Sequence, residues 1–109
     1  MLRRAAQDGK PIGAVSHGPA ALPGVLMEGQ PIVAQRRVTC FSDAEEERSN
    51  WASHAPFSLE QRLNAAGARV EHAGPGREHT VRDGFLINGQ NAASAASAAR
   101  LVLGALHGP

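Results

Sequence analysis

A serine followed directly by a histidine, at the end of a short apolar run, is the strongest chemical feature of the sequence. The segment reads Ala14-Val15-Ser16-His17-Gly18. A serine hydroxyl needs a neighbouring base to become nucleophilic, and His17 is the adjacent candidate. The segment resembles a relaxed nucleophile elbow, a sharp strand-to-helix turn, with Ala14 in place of the first glycine. The competing interpretation is that Ser16 is an ordinary helix N-cap.

Three consecutive glutamates could supply the acid that orients such a histidine. Glu45 to Glu47 begin a short helix predicted over residues 44–49. Negative charge in a first turn also stabilises the helix dipole, so a solvated acidic helix start is the alternative interpretation. The sequence alone does not decide whether Glu45 or Glu46 reaches His17.

Short apolar runs alternate with helical stretches along the chain. Strands are predicted at residues 11–16, 32–34, 37–41 and 68–72, followed by a hairpin of 79–82 and 85–88 around Asp83-Gly84. Helices are predicted to begin at 17–19 and to cover 44–49, 56–66 and 92–106. This order predicts an α/β fold in a single domain over residues 1–109.

Composition narrows the function classes. The 109 residues carry a formal net charge of +1 and only 4% aromatics, which argues against nucleic-acid binding. No run reaches the ~18 apolar residues of a membrane span.

The single cysteine, Cys40, is expected to be a buried small hydrophobe and excludes a multi-cysteine zinc site. We expect a cytoplasmic protein with no cofactor and no metal. The remaining histidines lack ligand spacing and are expected at the surface: His54, His72, His79 and His107.

A more specific signal extends from the serine through the following turn. Residues 14–20, Ala-Val-Ser-His-Gly-Pro-Ala, resemble the Ala-x-Cys-His-Gly-Pro-Ala motif of the ThiJ/PfpI family. Further matches follow in the family's order, so that the resemblance covers residues 9–106; they lie at 37–46, 56–60, 67–68, 83–91 and 93–95. The most similar branch contains heat-shock chaperones and glutathione-independent glyoxalases.

The resemblance implies both a fold and a set of site residues. The fold is a partial flavodoxin-like, class I glutamine amidotransferase-like sheet sandwiched by helices, with a C-terminal β-hairpin and a final helix. Ser16 occupies the position of the family's nucleophilic cysteine, and His17 that of the triad histidine. Glu46 best matches the triad acid, with Glu45 as the alternative, and Gly18 belongs to the oxyanion-binding turn. The implied substrate is a small α-oxoaldehyde.

The sequence also departs from the family. Serine replaces the nucleophilic cysteine at position 16, so we expect glyoxalase or deglycase chemistry to be impaired. Family members are about twice as long, and the glutamate that their first half brings to the nucleophile has no counterpart here. Smaller departures are Gln35 and Cys40 at positions usually glycine, Asn88 at one usually threonine and Ala92 at one usually proline.

These departures from the family suggest two alternative functions and two kinds of protein partner. The alternatives are a holdase-like chaperone or oligomerisation module, and a weak serine hydrolase that uses Ser16, His17 and Glu46. A parallel sheet without its neighbouring strands would expose an edge that promotes association. We therefore expect a homo-oligomer or a complex with a separate N-terminal half, and neither a nucleic-acid nor a membrane partner.

Overall fold

The computed structural model describes residues 2–48 and 58–107. The helices of these residues are α1 (Leu2–Gln7), α2 (Asp43–Arg48), α3 (Leu59–Ala65) and α4 (Ala95–Leu106), with short 3₁₀ turns at Gly18–Ala21 and Ala92–Ser94. The strands are β1 (Ile12–Val15), β2 (Leu26–Met27), β3 (Gln30–Pro31), β4 (Arg37–Val38), β5 (Arg69–Val70), β6 (Thr80–Asp83) and β7 (Leu86–Gly89).

A three-stranded sheet in the order β1–β7–β6 carries the residues of chemical interest. β1 runs parallel to β7, with Ile12 opposite Leu86 and Val15 opposite Gly89, whereas β6 is antiparallel to β7. β4 and β5 form a separate parallel pair, and β4 lies beside β6. Helix α4 packs on β1, β6 and β7, and α1 contacts β1 and β2. The α/β class predicted from the sequence is confirmed.

The start of β1 is fixed by the hydrophobic core. Ile12 and the opposing Leu86 are both buried, at 4% and 0% exposure. Full burial of an aliphatic side chain of this size stabilises a fold by roughly 1.5–3 kcal/mol. The same cluster includes Leu22, which follows the turn after β1, and Leu63 of α3. The strand and the turn after it are therefore anchored to one apolar cluster.

One predicted strand is wrong. Residues 32–34 form a turn, because the N–H of Ala34 donates to the carbonyl of Pro31 at 3.0 Å instead of pairing with another strand. Gln35 then adopts a left-handed φ of 63° and redirects the chain into β4. Ile32 and Val33, whose apolar side chains suggested a strand, belong to this turn and are buried in the core.

The hairpin is present, but its turn lies one residue later than predicted. Asp83 pairs with Leu86, which leaves Gly84 and Phe85 as the two turn residues. Gly84 has a φ of 62°, the left-handed conformation that glycine adopts without steric cost.

The predicted helix boundaries also shift. The helix predicted over 56–66 is α3, whose described part begins at Leu59, and Gly67 follows it with a φ of 92°, as suits a C-terminal cap. The predicted positions before residue 58, including His54, lie outside the described residues. None of the helices within residues 2–48 and 58–107 is long and apolar enough to cross a bilayer.

Candidate functional site

Ser16 follows β1 in a left-handed backbone conformation, with a φ of 62°. This conformation costs roughly 1–2 kcal/mol for a residue that carries a Cβ. Two backbone hydrogen bonds hold it: the N–H of Ser16 donates to the carbonyl of Gly89 at 2.8 Å, and the N–H of Phe41 donates to the carbonyl of Ser16 at 2.9 Å. The sharp turn predicted at Ser16 is therefore present, and its side chain is half-buried.

A glycine lets the end of β7 approach this turn. A Cβ at Gly89 would lie 3.0 Å from the Cβ of Ser94 and 3.3 Å from both Cγ atoms of Val15. A side chain at position 89 would therefore force Ser94 or Val15 to shift by a few tenths of an ångström.

His17 contacts a buried carboxylate. Its Nε2 lies 2.8 Å from Oε1 of Glu46, which is 5% exposed, and its ring centroid lies 4.6 Å from that of Phe41. A carboxylate only accepts, so in a neutral ring Nε2 carries the proton and Nδ1 can take one from a nucleophile. The structure thus brings Glu46 to the histidine that follows Ser16. The catalytic roles of these three residues stay a prediction.

Gly18 begins the 3₁₀ turn Gly18–Ala21 immediately after His17 and is exposed. The helix predicted to start here is this single short turn, which ends when the chain reaches the buried Leu22. Its position beside Ser16 suits the predicted oxyanion-binding turn, and that role stays a prediction.

The carboxylate of Glu45, the alternative acid, is held in a different network. Its hydrogen-bond donors belong to Ser42, Gly76, Gln90 and Asn91. Burial alone would raise the pKa of this carboxyl, but the hydrogen bonds that it accepts outweigh burial and lower its pKa to about 2.

A local sequence pattern predicts part of this network, although the predictions above do not use it. Ser42-x-x-Glu45 is a capping-box pattern: the N–H of Glu45 donates to Oγ of Ser42 at 3.2 Å, and the N–H of Ser42 donates to Oε1 of Glu45 at 3.0 Å. Gln90 and Asn91 lie 45 and 46 residues further along, so no local pattern indicates them. The contact of Phe41 with the histidine ring was also missed.

Cys40, the only cysteine of the chain, is fully buried. Burial, reinforced by the carboxylates of Glu60 and Asp43, raises the pKa of its thiol to about 12. The thiol is therefore neutral near pH 7, the form in which a thiol is a poor nucleophile. The prediction that it is a buried small hydrophobe is confirmed.

The other described histidines lie away from Ser16 in sequence and have their own neighbours. Nε2 of His72 lies 3.3 Å from Oε1 of Glu60, and Nε2 of His79 lies 3.7 Å from Oε1 of Glu71. His79 is half-buried and its Nε2 atom is inaccessible to solvent, so only part of its side chain lies at the surface. His107 is exposed, as predicted. Residues 2–48 and 58–107 contain no group of three or more His, Cys, Asp or Glu side chains arranged to hold a metal ion.

A groove of about 410 Å³ opens beside Phe41 rather than directly over Ser16. Its lining includes Glu45 and Arg48 of α2 together with Gly76 and Asn91. Since the ring of Phe41 also contacts the histidine, the groove and the His17–Glu46 pair share one wall.

Known proteins with similar sequences are about twice as long as this chain. No family model matches. A glutamine amidotransferase-like class 1 domain-containing protein of Bos taurus is 36% identical over 104 residues, which are 94% of this chain and 47% of that protein. A probable glutathione-independent glyoxalase of Schizosaccharomyces pombe is 33% identical over 102 residues, 88% of this chain and 46% of that one. The chain thus spans about half the length of these relatives.

Solved structures give the same fold. One crystal structure, 42% identical, superposes with a TM-score of 0.93 over 97% of this chain and 48% of its own. Glyoxalase III of Candida albicans, 27% identical, gives a TM-score of 0.85 over 95% of this chain and 46% of its own. The chain has a flavodoxin-like, class I glutamine amidotransferase-like α/β fold. These similarities support the resemblance to the ThiJ/PfpI family.

The left-handed turn predicts an unusual order of stability at position 16. Ser16→Gly should be more stable than Ser16→Ala by about 1 kcal/mol, because only glycine adopts positive φ without a Cβ penalty. Chemical denaturation measures both. The matched control is Ser97 in α4, where Ser97→Gly should be less stable than Ser97→Ala by about the same amount. Equal stabilities at position 16 would contradict the strained turn.

The pKa of Glu45 predicts a loss of stability in acid. Its folded-state pKa of about 2 lies below the ordinary 4.5, so the ionised form stabilises the fold above about pH 4.5. This contribution, up to roughly 3 kcal/mol at ~1.4 kcal/mol per pKa unit, is lost as the pH falls towards 2. Glu45→Gln should flatten the dependence of the unfolding free energy on pH in this range. Glu47→Gln, an exposed change of equal charge on the same helix, should keep the native slope; identical slopes in both variants would rule the assignment out.

Proposed function

We propose that the chain is a member of the ThiJ/PfpI-like family, related to its glutathione-independent glyoxalases, in which serine has replaced the nucleophile and weakened the activity. One observation carries the proposal: Ser16 occupies a left-handed turn directly before a histidine whose Nε2 lies 2.8 Å from a buried glutamate. A strained turn of this kind persists only where surrounding contacts hold it, and it is common at active sites. The names of the relatives and of the Candida albicans enzyme support the choice of reaction.

The proposed chemistry converts an α-oxoaldehyde and water into a 2-hydroxy acid. The oxygen of Ser16 adds to the aldehyde carbon, and Nδ1 of His17 takes the hydroxyl proton. The hydrogen on that carbon then moves with its electron pair to the neighbouring carbonyl carbon, and the new alkoxide takes the proton back from Nδ1 of His17. The first carbon is thereby oxidised to an ester and the second is reduced to an alcohol. Water cleaves the ester and regenerates the hydroxyl. The oxidation and reduction balance within the substrate, so no external redox partner takes part.

Glu46 orients the imidazole in this proposal. Its buried carboxylate accepts a hydrogen bond from Nε2–H of His17, which leaves Nδ1 as the basic nitrogen and stabilises the ring when it becomes an imidazolium. The weak step is the attack itself, since a serine hydroxyl is scarcely ionised near pH 7, whereas a thiol is a few per cent thiolate. The groove beside Phe41 is the proposed approach for the small aldehyde.

A second proposal concerns the free edge of β1. Within the described residues β1 pairs with β7 alone. Ile12 and Ser16 direct their backbone N–H groups towards β7, so the backbone groups of Gly13 and Val15 point to the opposite edge. We propose that a further strand pairs there, supplied by a second copy of the chain or by a polypeptide equivalent to the other half of the relatives.

Restoring the thiol should reveal the glyoxalase reaction. Ser16→Cys should form lactate from methylglyoxal at least about tenfold faster than the native chain, because the thiolate is the stronger nucleophile. Lactate is the quantity to measure, since a thiol also traps aldehydes reversibly, and the native chain controls for Cys40. Adding His17→Ala or Glu46→Gln to Ser16→Cys should remove most of the gain, whereas adding Glu47→Gln should keep it.

Other outcomes of this experiment favour other functions. No lactate from Ser16→Cys would refute the glyoxalase proposal. Hydrolysis of p-nitrophenyl acetate by the native chain, lost in Ser16→Ala, would instead favour the serine hydrolase. Suppression of client aggregation to the same extent by the native chain and by Ser16→Ala would favour the holdase, which would act through exposed apolar residues such as Leu103 and Leu106.

The edge proposal predicts association and protection together. In sedimentation velocity the native chain should form a dimer or larger species, and hydrogen exchange at the Gly13 and Val15 amides should slow as the concentration rises. A monomer with rapidly exchanging amides would assign the edge to a separate polypeptide. A strict monomer in which both amides are protected would refute the proposal of a further strand.

A further inference from the structure

Glu45 accepts five hydrogen bonds and lines the groove beside Phe41, but it takes no part in the bond-making steps proposed above. The residue is 5% exposed, and it lies next to Glu46 on α2. An ionised carboxylate at this depth is costly unless its oxygens are fully paired. The arrangement of its partners therefore indicates what it holds in place.

The two oxygens of Glu45 accept five hydrogen bonds from three parts of the chain. Oε1 accepts from the N–H and Oγ of Ser42, at 3.0 and 2.9 Å, and from Nε2 of Gln90 at 2.8 Å. Oε2 accepts from the N–H of Gly76 at 2.9 Å and from Nδ2 of Asn91 at 2.8 Å. Only a group that accepts at both ends satisfies all five donors, which a carboxylate does and an amide does not.

Each amide partner is itself fixed in orientation. Oε1 of Gln90 accepts the N–H of Ala73 at 2.8 Å, so its Nε2 faces Glu45. Nδ2 of Asn91 also donates to the carbonyl of Arg77 at 2.7 Å. The loop over residues 73–77 and the segment after β7 therefore meet α2 at one carboxylate.

The segment that holds Glu45 is continuous with the residue that holds the nucleophile turn. Gly89, whose carbonyl accepts the N–H of Ser16, directly precedes Gln90 and Asn91. The turn that carries Ser16 and His17 and the helix that carries Glu46 are thus both fixed to the end of β7. Neighbouring residues on a helix differ by 100° in direction, so a small rotation of α2 would move the Glu46 carboxylate away from His17.

We propose that Glu45 is a positioning residue that sets the Glu46–His17 hydrogen bond by locking α2 to the end of β7. The proposal rests on the proposed function only for the use made of that hydrogen bond. Its test reads the hydrogen bond itself, so it can succeed when no lactate forms and fail when lactate does form.

The experiment is long-range ¹H–¹⁵N spectroscopy of the His17 ring in the folded chain with the ring neutral. The native chain should show the tautomer protonated at Nε2, because Oε1 of Glu46 accepts a hydrogen bond from Nε2–H. Glu45→Asp keeps the charge but shortens the side chain by one methylene, and Glu45→Gln keeps the length but places an NH₂ against N–H donors. Both should lose the single-tautomer signature, as should Glu46→Gln. Glu47→Gln is the matched control and should keep it.

A purely stabilising role would lower the unfolding free energy without changing the tautomer of the folded molecules. Folded Glu45→Asp and Glu45→Gln chains that keep the native tautomer would therefore overturn the proposal. If neither variant folds, Asn91→Ala decides, because it removes one of the five donors. It should shift the ring towards a mixture of tautomers, and an unchanged native tautomer in folded Asn91→Ala would equally overturn the proposal.

Discussion

The backbone of Ser16 is held from two sides, and the rest of the site depends on this. The carbonyl of Gly89 accepts its N–H at 2.8 Å, and the N–H of Phe41 donates to its carbonyl at 2.9 Å. Without these bonds a residue with a Cβ would leave the left-handed region, where it costs roughly 1–2 kcal/mol. The register of β1 on β7 brings Gly89 to the turn, and the absence of a side chain at Gly89 permits the close approach. The strain at Ser16 is thus offset by the packing of the sheet.

Both parts of the site are hydrogen-bonded to the end of β7 and the two residues that follow it. Gly89 fixes the turn, while Gln90 and Asn91 bind the carboxylate of Glu45 and so fix α2. The Ser16 turn and the helix that carries Glu46 are therefore both hydrogen-bonded to three consecutive residues at the end of β7 and after it. The five donors on the Glu45 carboxylate come from three parts of the chain, so α2, the loop over residues 73–77 and the end of β7 meet at one group.

The sequence predicted the parts that depend on local pattern. The apolar run with small residues around Ser16 indicated β1 and its turn, and the turn-forming residues near Gly84 indicated the hairpin. The strand predicted at 32–34 was wrong. The apolar residues there correctly indicated burial, but a turn rather than a strand buries them. The sequence also did not show which of Glu45 and Glu46 contacts His17. The two differ by one helical step, and the rotation of α2 is fixed by partners some 45 residues away.

The backbone angle of Ser16 in solution is the most direct test of this account. Three-bond N–H to Hα coupling, combined with cross-correlated relaxation in the ¹³C,¹⁵N-labelled native chain, determines the sign and size of φ. The account predicts a left-handed value close to 62°. An extended or right-handed helical φ would contradict it, because Ser16 would then lie in an ordinary loop or N-cap that neither strains the backbone nor presents the hydroxyl.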